Sequence, residues 1–574
     1  MKNTKNYFLV LFLFISTSTF ASPPLVPAKD SAGGVQAGTA LQENDLKLRK
    51  NIQEKRAPVE IDQARQEEIS KLPDSQKVLV TKIEVTGAKL LSAKDINAII
   101  KPFENKTLTI REMQDVANRI TDAYRQKGYI TSRAILPPQK VENSILKIEV
   151  IEGKMGDITV QGNKYYSTSL IKRKIDLKPG VPFDYTKLQN NLSIINQYQD
   201  RKVKTVLKPG QAPATTDLVL DVKDNLPIHV GLSYDNYGSR YLRHFRYQGT
   251  VTDNNLLGFD DIMTLTYQTA EGHNTYRLNS LRYLFPLSNT TQLGFYAGKT
   301  QLRLGKEFED LNARGKSDLY SIYLTHALLK NDTTDLTLSE AFDYQDVYNF
   351  ELGQETSRDR LRVARVGLKL DKSDNFNGRT IINNEIQQGI PHQWGSLKSK
   401  DPTASRANIS GGLFTKDVLD VLRLQNLPLD STLLLKGQGQ LASHALTASE
   451  QFQIGGISNV RGYPSGEVVG DDGISLTGEW SFPVYFIPKN IDAPFSKAKL
   501  YDALHLAAFY DWAEAYLRVP AGEKKDKKLS SLGCGLRYDL PENFSARLDV
   551  AWPLDQLPSD GNHMHAWVKI SKDF

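Results

Sequence analysis

Two periodicities divide the chain. From Ile228 onward, apolar residues recur at every second position: Ile228, Val230, Leu232 and Tyr234 alternate with His229, Gly231, Ser233 and Asp235. Near the end, Leu532, Cys534, Leu536, Tyr538 and Leu540 alternate with Ser531, Gly533, Gly535, Arg537 and Asp539. Phe544, Ala546, Leu548, Val550 and Trp552 then oppose Ser545, Arg547, Asp549 and Ala551, and Met564, Ala566, Val568, Ile570 and Phe574 share one parity. Period two predicts strands. A soluble sandwich also alternates, but its apolar face is buried against a second sheet. Here charged and glycine-rich faces recur throughout, with Tyr and Trp at strand ends, the pattern of apolar-out, polar-in strands with aromatic girdles. At roughly 20 to 22 residues per strand and connection, the segment 228–574 accommodates about 16 strands. This predicts a transmembrane antiparallel β-barrel with Cys534 on its lipid face.

Residues 78–227 follow another rhythm, an internal repeat of about 75 residues. The first copy, 78–153, begins with Ile83-Glu84-Val85-Thr86-Gly87, and Ser92 opens a short helix carrying Ile96, Ile99 and Ile100. Thr109 and Glu112 form a capping box for a second helix with Met113, Val116, Ile120 and Tyr124 inward and Gly128 as its stop. Strands at 129–136 and 145–151 close the unit. The second copy, 154–227, repeats the order: Ile158 to Gly162, a short helix after Ser167, then Leu188, Leu192 and Ile195, and strands at 203–207 and 217–222. Each copy is predicted as β-α-α-β-β. Upstream, Leu41 to Arg56 suits a helix charged nearly all round, followed by a polar linker with Pro73, so that 22–77 is helix and linker. The basic start, short apolar stretch Tyr7 to Ile15 and small residues ending at Ala21 predict a secretory signal over 1–21. That apolar stretch is about half the ~20 residues a spanning helix needs.

Composition narrows the function. The 574 residues hold 72 Lys and Arg against 66 Asp and Glu, a formal charge of +6, which argues against dedicated nucleic-acid binding. One cysteine excludes an intramolecular disulfide framework. Gly294 to Thr300 resembles a phosphate loop but has three residues between its glycines where four are needed; Gly315-Lys316-Ser317 has Asp310 where the first Gly should stand. His563 and His565 lack a third convergent ligand, so no metal site is expected. Neither a Gly-x-Ser-x-Gly elbow nor His-Glu-x-x-His is present. Asp471-Asp472 reads as a solvated turn. Catalytic residues, cofactors and metals are therefore not expected.

One constellation stands out. Gln453 to Pro464 contains Gly455, Gly456, Asn459 and Val460-Arg461-Gly462-Tyr463, and Gly466, Gly470 and Gly473 follow. Downstream, Leu506, Ala508, Tyr510 and Trp512 form an apolar face, which sends Phe509 and Asp511 into the lumen. A lumenal carboxylate can hold a loop arginine by charge-assisted, bidentate hydrogen bonds. The alternative is that Arg461 caps an extracellular turn while Asp511 merely lines the pore.

On these residues the whole chain resembles the outer-membrane transporters of two-partner secretion, which export haemolysins, filamentous haemagglutinins and contact-dependent growth-inhibition proteins. Val460-Arg461-Gly462-Tyr463 is similar to the family's tip on the lumenal loop between strands 11 and 12. Phe509-Tyr510-Asp511 is similar to its Phe-x-Asp pattern on strand 13, whose aspartate accepts the arginine. Pro179 to Phe183, Asn196 and Leu207 to Gly210 resemble the family's second repeat.

The resemblance implies a 16-stranded barrel over 228–574 with a lumenal loop at 453–475. Two periplasmic polypeptide-transport-associated (POTRA) domains and a plug helix precede it. It further implies ATP-independent export of one large unfolded partner, which lies as an extended chain on the POTRA domains. On the same resemblance, outer-membrane lipid is expected around the barrel, Phe574 is expected to be the signal read by the barrel-assembly machinery, and the functional unit is expected to be a monomer. A barrel-assembly insertase of the same superfamily is the alternative function.

Overall fold

The computed structural model describes residues 77–574 except 197, 273–274, 332 and 520–524. The expected signal, plug helix and nearly all of the linker lie outside the described residues. The described chain divides into two units, which meet in sequence between Pro227 and Ile228.

The first unit holds the two repeats. In the first copy, Lys82–Thr86 pairs in parallel with Ile145–Ile151, which pairs antiparallel with Arg133–Ile135. The helices Ala93–Ile100 and Ile110–Gln126 pack Ile96, Ile100, Met113, Val116, Ile120 and Tyr124 against this sheet. Both halves of the Thr109–Glu112 capping box are present, and the Thr109 amide holds the Glu112 carboxyl below the usual range. The second copy orders Lys154–Gln161, Thr215–Asp224 and Arg201–Pro209 in the same way. Its helices are Thr168–Arg173 and Tyr185–Asn196.

The repeat is visible in atomic detail. Gly87 and Gly162 lie at φ +81° and +84°, where a Cβ would sit 2.3 Å from Val150 O and 2.5 Å from Val222 O. Only glycine fits there. Glu152 accepts from the amides of Lys89 and Leu90, and Asp224 accepts from those of Lys164, Tyr165 and Tyr166, closing the turn after each glycine. Two features differ from expectation. The strand foreseen at 129–136 shrinks to Arg133–Ile135, and Lys77–Val80 pairs with Lys106–Thr109 as a separate ribbon.

The second unit is a closed antiparallel barrel of sixteen strands. In chain order these are β1 (Ile228–Asp235), β2 (Arg246–Asp253), β3 (Ile262–Ala270), β4 (Tyr276–Pro286), β5 (Thr291–Arg303) and β6 (Arg314–Lys330). Then follow β7 (Thr334–Glu351), β8 (Gln354–Asp374), β9 (Gly378–Gly389), β10 (Thr415–Leu427) and β11 (Ser431–Ala442). The last are β12 (Asp472–Pro483), β13 (Leu504–Tyr516), β14 (Asp526–Leu540), β15 (Phe544–Pro553) and β16 (His565–Asp573). Each strand presents alternate residues to the two faces. Tyr510, Leu532 and Trp552 are exposed outward, as is Cys534, whereas Asp511, Ser531 and Asp549 are fully buried inside. Closure joins β16 to β1 from Lys569↔Asp235 to Asp573↔Gly231. The Asn236 side chain extends this seam, donating to Ala566 O and accepting from Val568 N. Complete closure leaves no strand edge unpaired, as a spanning sheet requires.

Candidate functional site

The connection from β11 to β12 turns back into the lumen. A ribbon of Phe452–Ile454 with Val468–Gly470 forms its base, and Gly455 and Gly456, both at positive φ, begin its tip. The Asn459 side chain accepts from the amides of Gly455 and Val460 and donates to Gln453 O, so the turn is held by its own sequence. Val460 and Tyr463 are fully buried and pack with Phe452, Ile454, Ala513 and Leu529. This fixes the side from which Arg461 projects. Gly462 faces the wall so closely that a Cβ would lie 2.6 Å from Ser531 Cβ and 2.8 Å from Pro553 N.

Arg461 meets Asp511. Its Nε donates to Asp511 Oδ2 and its Nη2 to Oδ1, both at 2.9 Å, and its backbone amide adds a third bond at 3.1 Å. The guanidinium lies 3.2 Å from the centroid of the Phe509 ring. Trp567 of β16 donates to Arg461 O at 2.7 Å, so the tip is gripped from both sides. Phe574 caps the seam: its backbone exchanges two hydrogen bonds with Val230, and its ring is exposed.

Four further charges converge there without having been singled out in the sequence. Glu479 of β12 accepts from Arg461 Nη1 at 2.7 Å, from Arg537 Nη2 at 2.9 Å and from Arg547 Nη2 at 3.2 Å. Asp549 accepts from Arg537 Nη2 at 2.6 Å and from Arg547 Nε at 2.8 Å. Three arginines thus face three carboxylates, all nearly excluded from solvent. Gly533 and Gly535 on the lumenal side of β14 make room: a Cβ at either would strike Phe509 or the Arg537–Asp549 pair. The signal available in the sequence was parity, since Glu479, Arg537, Arg547 and Asp549 all occupy polar positions between apolar ones.

Asp471 departs from expectation. Rather than a solvated turn residue it is completely buried. It accepts from Arg406 Nη1 at 2.5 Å and from the amides of Leu446 and Arg518, both at 2.9 Å. Arg406 also donates to Leu446 O and Val519 O. Three connections therefore converge on one carboxylate: 390–414, 443–471 and the segment after β13. The residues set aside as chemistry are structural. Gly294 to Thr300 lies within β5, and Gly315 to Ser317 lies within β6. His565 bonds Asp560 while His563 is exposed before β16.

A family model for the haemolysin secretion/activation protein ShlB/FhaC/HecB matches residues 214–500, half of the chain. The chain belongs to this family. Upstream, residues 78–153 match the ShlB-type POTRA domain, and 154–224 match a POTRA repeat described as a surface antigen variable number repeat. The heme/hemopexin transporter protein HuxB of Haemophilus influenzae (strain 86-028NP) is 24% identical over 83% of each chain. The outer membrane transporter CdiB of Dickeya dadantii (strain 3937) is 22% identical over 71% of this chain and 72% of its own. Among solved structures, CdiB from Escherichia coli shares the fold with a TM-score of 0.69 at 19% identity, covering 93% of this chain and 97% of its own. BamA from Haemophilus ducreyi lacking POTRA domains 1–3 reaches 0.53 at 14% identity, covering 87% and 100%.

As a family member the protein is an outer-membrane secretion transporter with periplasmic POTRA domains. The barrel strands therefore begin, at β1, from the periplasmic face. The connections 390–414, 443–471 and 554–564 accordingly lie at the extracellular end.

Proposed function

We propose that the protein exports one large partner, unfolded, from the periplasm to the cell surface. Relatives are named heme/hemopexin transporter protein HuxB, outer membrane transporter CdiB and hemolysin transporter protein HpmB, and a secreted adhesin, haemolysin or toxin is the class of cargo expected. The observation that carries this reading is the inserted loop, held at Arg461 by the wall residues Phe509 and Asp511 within the closed barrel. Val460, Gly462 and Tyr463 shape the conduit by fixing how the tip sits. Sheet edges of the POTRA domains accept the cargo as an added extended strand. Folding of the cargo outside supplies directionality, Phe574 directs assembly of the barrel, and one chain forms one conduit.

Quantitative proteomics of culture supernatant and outer membrane, with and without the gene, tests this function. Loss of one large surface or secreted protein, with other barrels unchanged, is expected. A broad fall in many outer-membrane barrels would instead identify an insertase.

A further inference from the structure

The outer wall of the barrel is electrostatically lopsided. On β4 to β8, the outward parity near the extracellular ends carries Arg277, Lys299, Arg303, Arg314, Lys316 and Arg358. The register sets these side by side: Arg277↔Gln301, Gln301↔Lys316, Lys316↔Tyr348 and Tyr348↔Arg358 form one row, and Arg303↔Arg314 begins the next. Their outward direction follows from Leu281, Phe295 and Tyr320, exposed on the same parities of β4 to β6, and for Arg358 from its pairing with Tyr348, which shares the parity of the exposed Tyr344. Fewer carboxylates lie among them. Asp318 pairs with Lys299 at 3.3 Å, Glu355 with Arg358 at 2.6 Å, and Asp346 is taken up by Arg362. The corresponding outward positions of β9 to β13 are Gln388, Thr415, Asp417, Leu441, Ile474 and Glu514, with no cation.

Directly adjoining the cations the wall is hollowed. A groove of about 670 Å³ is lined by Leu232, Gly249, Tyr267, Leu281, Ala297 and Tyr320, and reaches Lys299. A second, of about 350 Å³, shares Leu281, Ala297 and Tyr320 and continues along Phe295, Ile322 and Tyr344. The hollows arise because Gly249 and Ala297 place almost no side chain between large aromatic neighbours. Apolar furrows that end at cations match an amphiphile whose acyl chains lie against the wall and whose phosphates stand above them.

We propose that this face of β1 to β8 binds a phosphorylated, multiply acylated glycolipid of the outer leaflet. The inference rests on the outer-membrane location, which sets the cationic ends of the strands at the extracellular surface, and not on the nature of the cargo. Arginine forks engage phosphate oxygens in pairs and lysines act as point charges, so a ligand with separated phosphates can contact several strands at once. The two adjoining furrows accommodate more than one chain. A phospholipid with one phosphate and two chains would satisfy only part of this surface.

The test uses the purified full chain in detergent, titrated with lipopolysaccharide, with dephosphorylated lipopolysaccharide and with phosphatidylglycerol. Bound lipid and the shift in melting temperature are read together. Wild type is expected to bind lipopolysaccharide at least tenfold more tightly than either of the other lipids. The triple substitution Lys299→Gln, Lys316→Gln, Arg358→Gln should lose at least tenfold, whereas Lys528→Gln on the far wall should behave as wild type. Ala297→Trp fills both furrows, leaves every cation in place, and should also weaken binding. Undiminished lipopolysaccharide binding by the triple variant would overturn the proposal. So would equal binding of the dephosphorylated lipid or phosphatidylglycerol by wild type, a comparison that needs no variant to fold.

Discussion

Arg461 makes two side-chain bonds and one backbone bond to Asp511, yet the charge balance of the site extends well beyond that pair. Glu479 accepts from three different arginines, so it neutralises the interior of the cluster while Asp511 grips its edge. Breaking one member of a buried ionic group leaves an uncompensated charge, which costs about 3–5 kcal/mol. Glu479→Gln is therefore expected to lower the melting temperature of the folded barrel while the loop tip remains on Asp511. Asp511→Ala should instead release the tip, admit protease to 443–471 and stop cargo release from a barrel that still assembles. An unchanged melting temperature for Glu479→Gln would rule out the shared network. At this scale the sequence was informative in one dimension only. Parity along β13 already turns Phe509 and Asp511 inward, but which lumenal charges meet depends on the stagger of four neighbouring strands. Asp471 misleads for a related reason: its glycine-rich neighbourhood looks like an exposed turn, and only the packing of the 390–414 connection, the segment after β13 and the far end of its own connection around it makes it buried.

Single elements were more legible than the contacts between them, because helix caps and strand alternation are local. Ser92, Thr109 and Ser167 each cap the helix expected from them. Replacing Thr109 by Ala removes the bond to the Glu112 amide and should cost the repeat about 1 kcal/mol. The measurement is amide hydrogen exchange in the full chain: faster exchange concentrated in the first turn of Ile110–Gln126 is expected, with the barrel unaffected. Exchange unchanged from wild type would mean that tertiary packing alone holds this end. The ribbon of Lys77–Val80 with Lys106–Thr109 was not legible, since its partners are separated by a complete helix and neither shows a long alternating run. The shortening of the 129–136 strand has a visible cause. Tyr129 and Ser132 form turns, with Tyr129 N bonded to Tyr124 O and Ser132 N to Tyr129 O, so the backbone cannot extend before Arg133.

For the molecule as a whole, girdle aromatics predict a membrane barrel and length arithmetic about sixteen strands, and the closed sheet has sixteen. Its extracellular end carries a consequence for transport that no single strand reveals. Arg406 joins the 390–414 connection to Asp471 and Val519, and Ser405 Oγ accepts from Ala448 N at 2.9 Å. Glu467 accepts from both the amide and the hydroxyl of Ser559, tying in the connection before β16. A chain leaving through the lumen has to displace this roof. Covalently fastening it should therefore stop export without disturbing the barrel. With the lipid-facing Cys534 replaced by Ala, the pair Ser405→Cys and Ala448→Cys provides such a fastener between two connections already in hydrogen-bond contact. Export is expected to cease under oxidising conditions and to resume on adding a reductant, while each single cysteine variant secretes normally in both. Continued secretion by fully crosslinked protein would mean that the roof stays closed and cargo emerges by another route. Because oxidation and reduction act on the same assembled molecules, a defect in folding or insertion cannot imitate the reversible result.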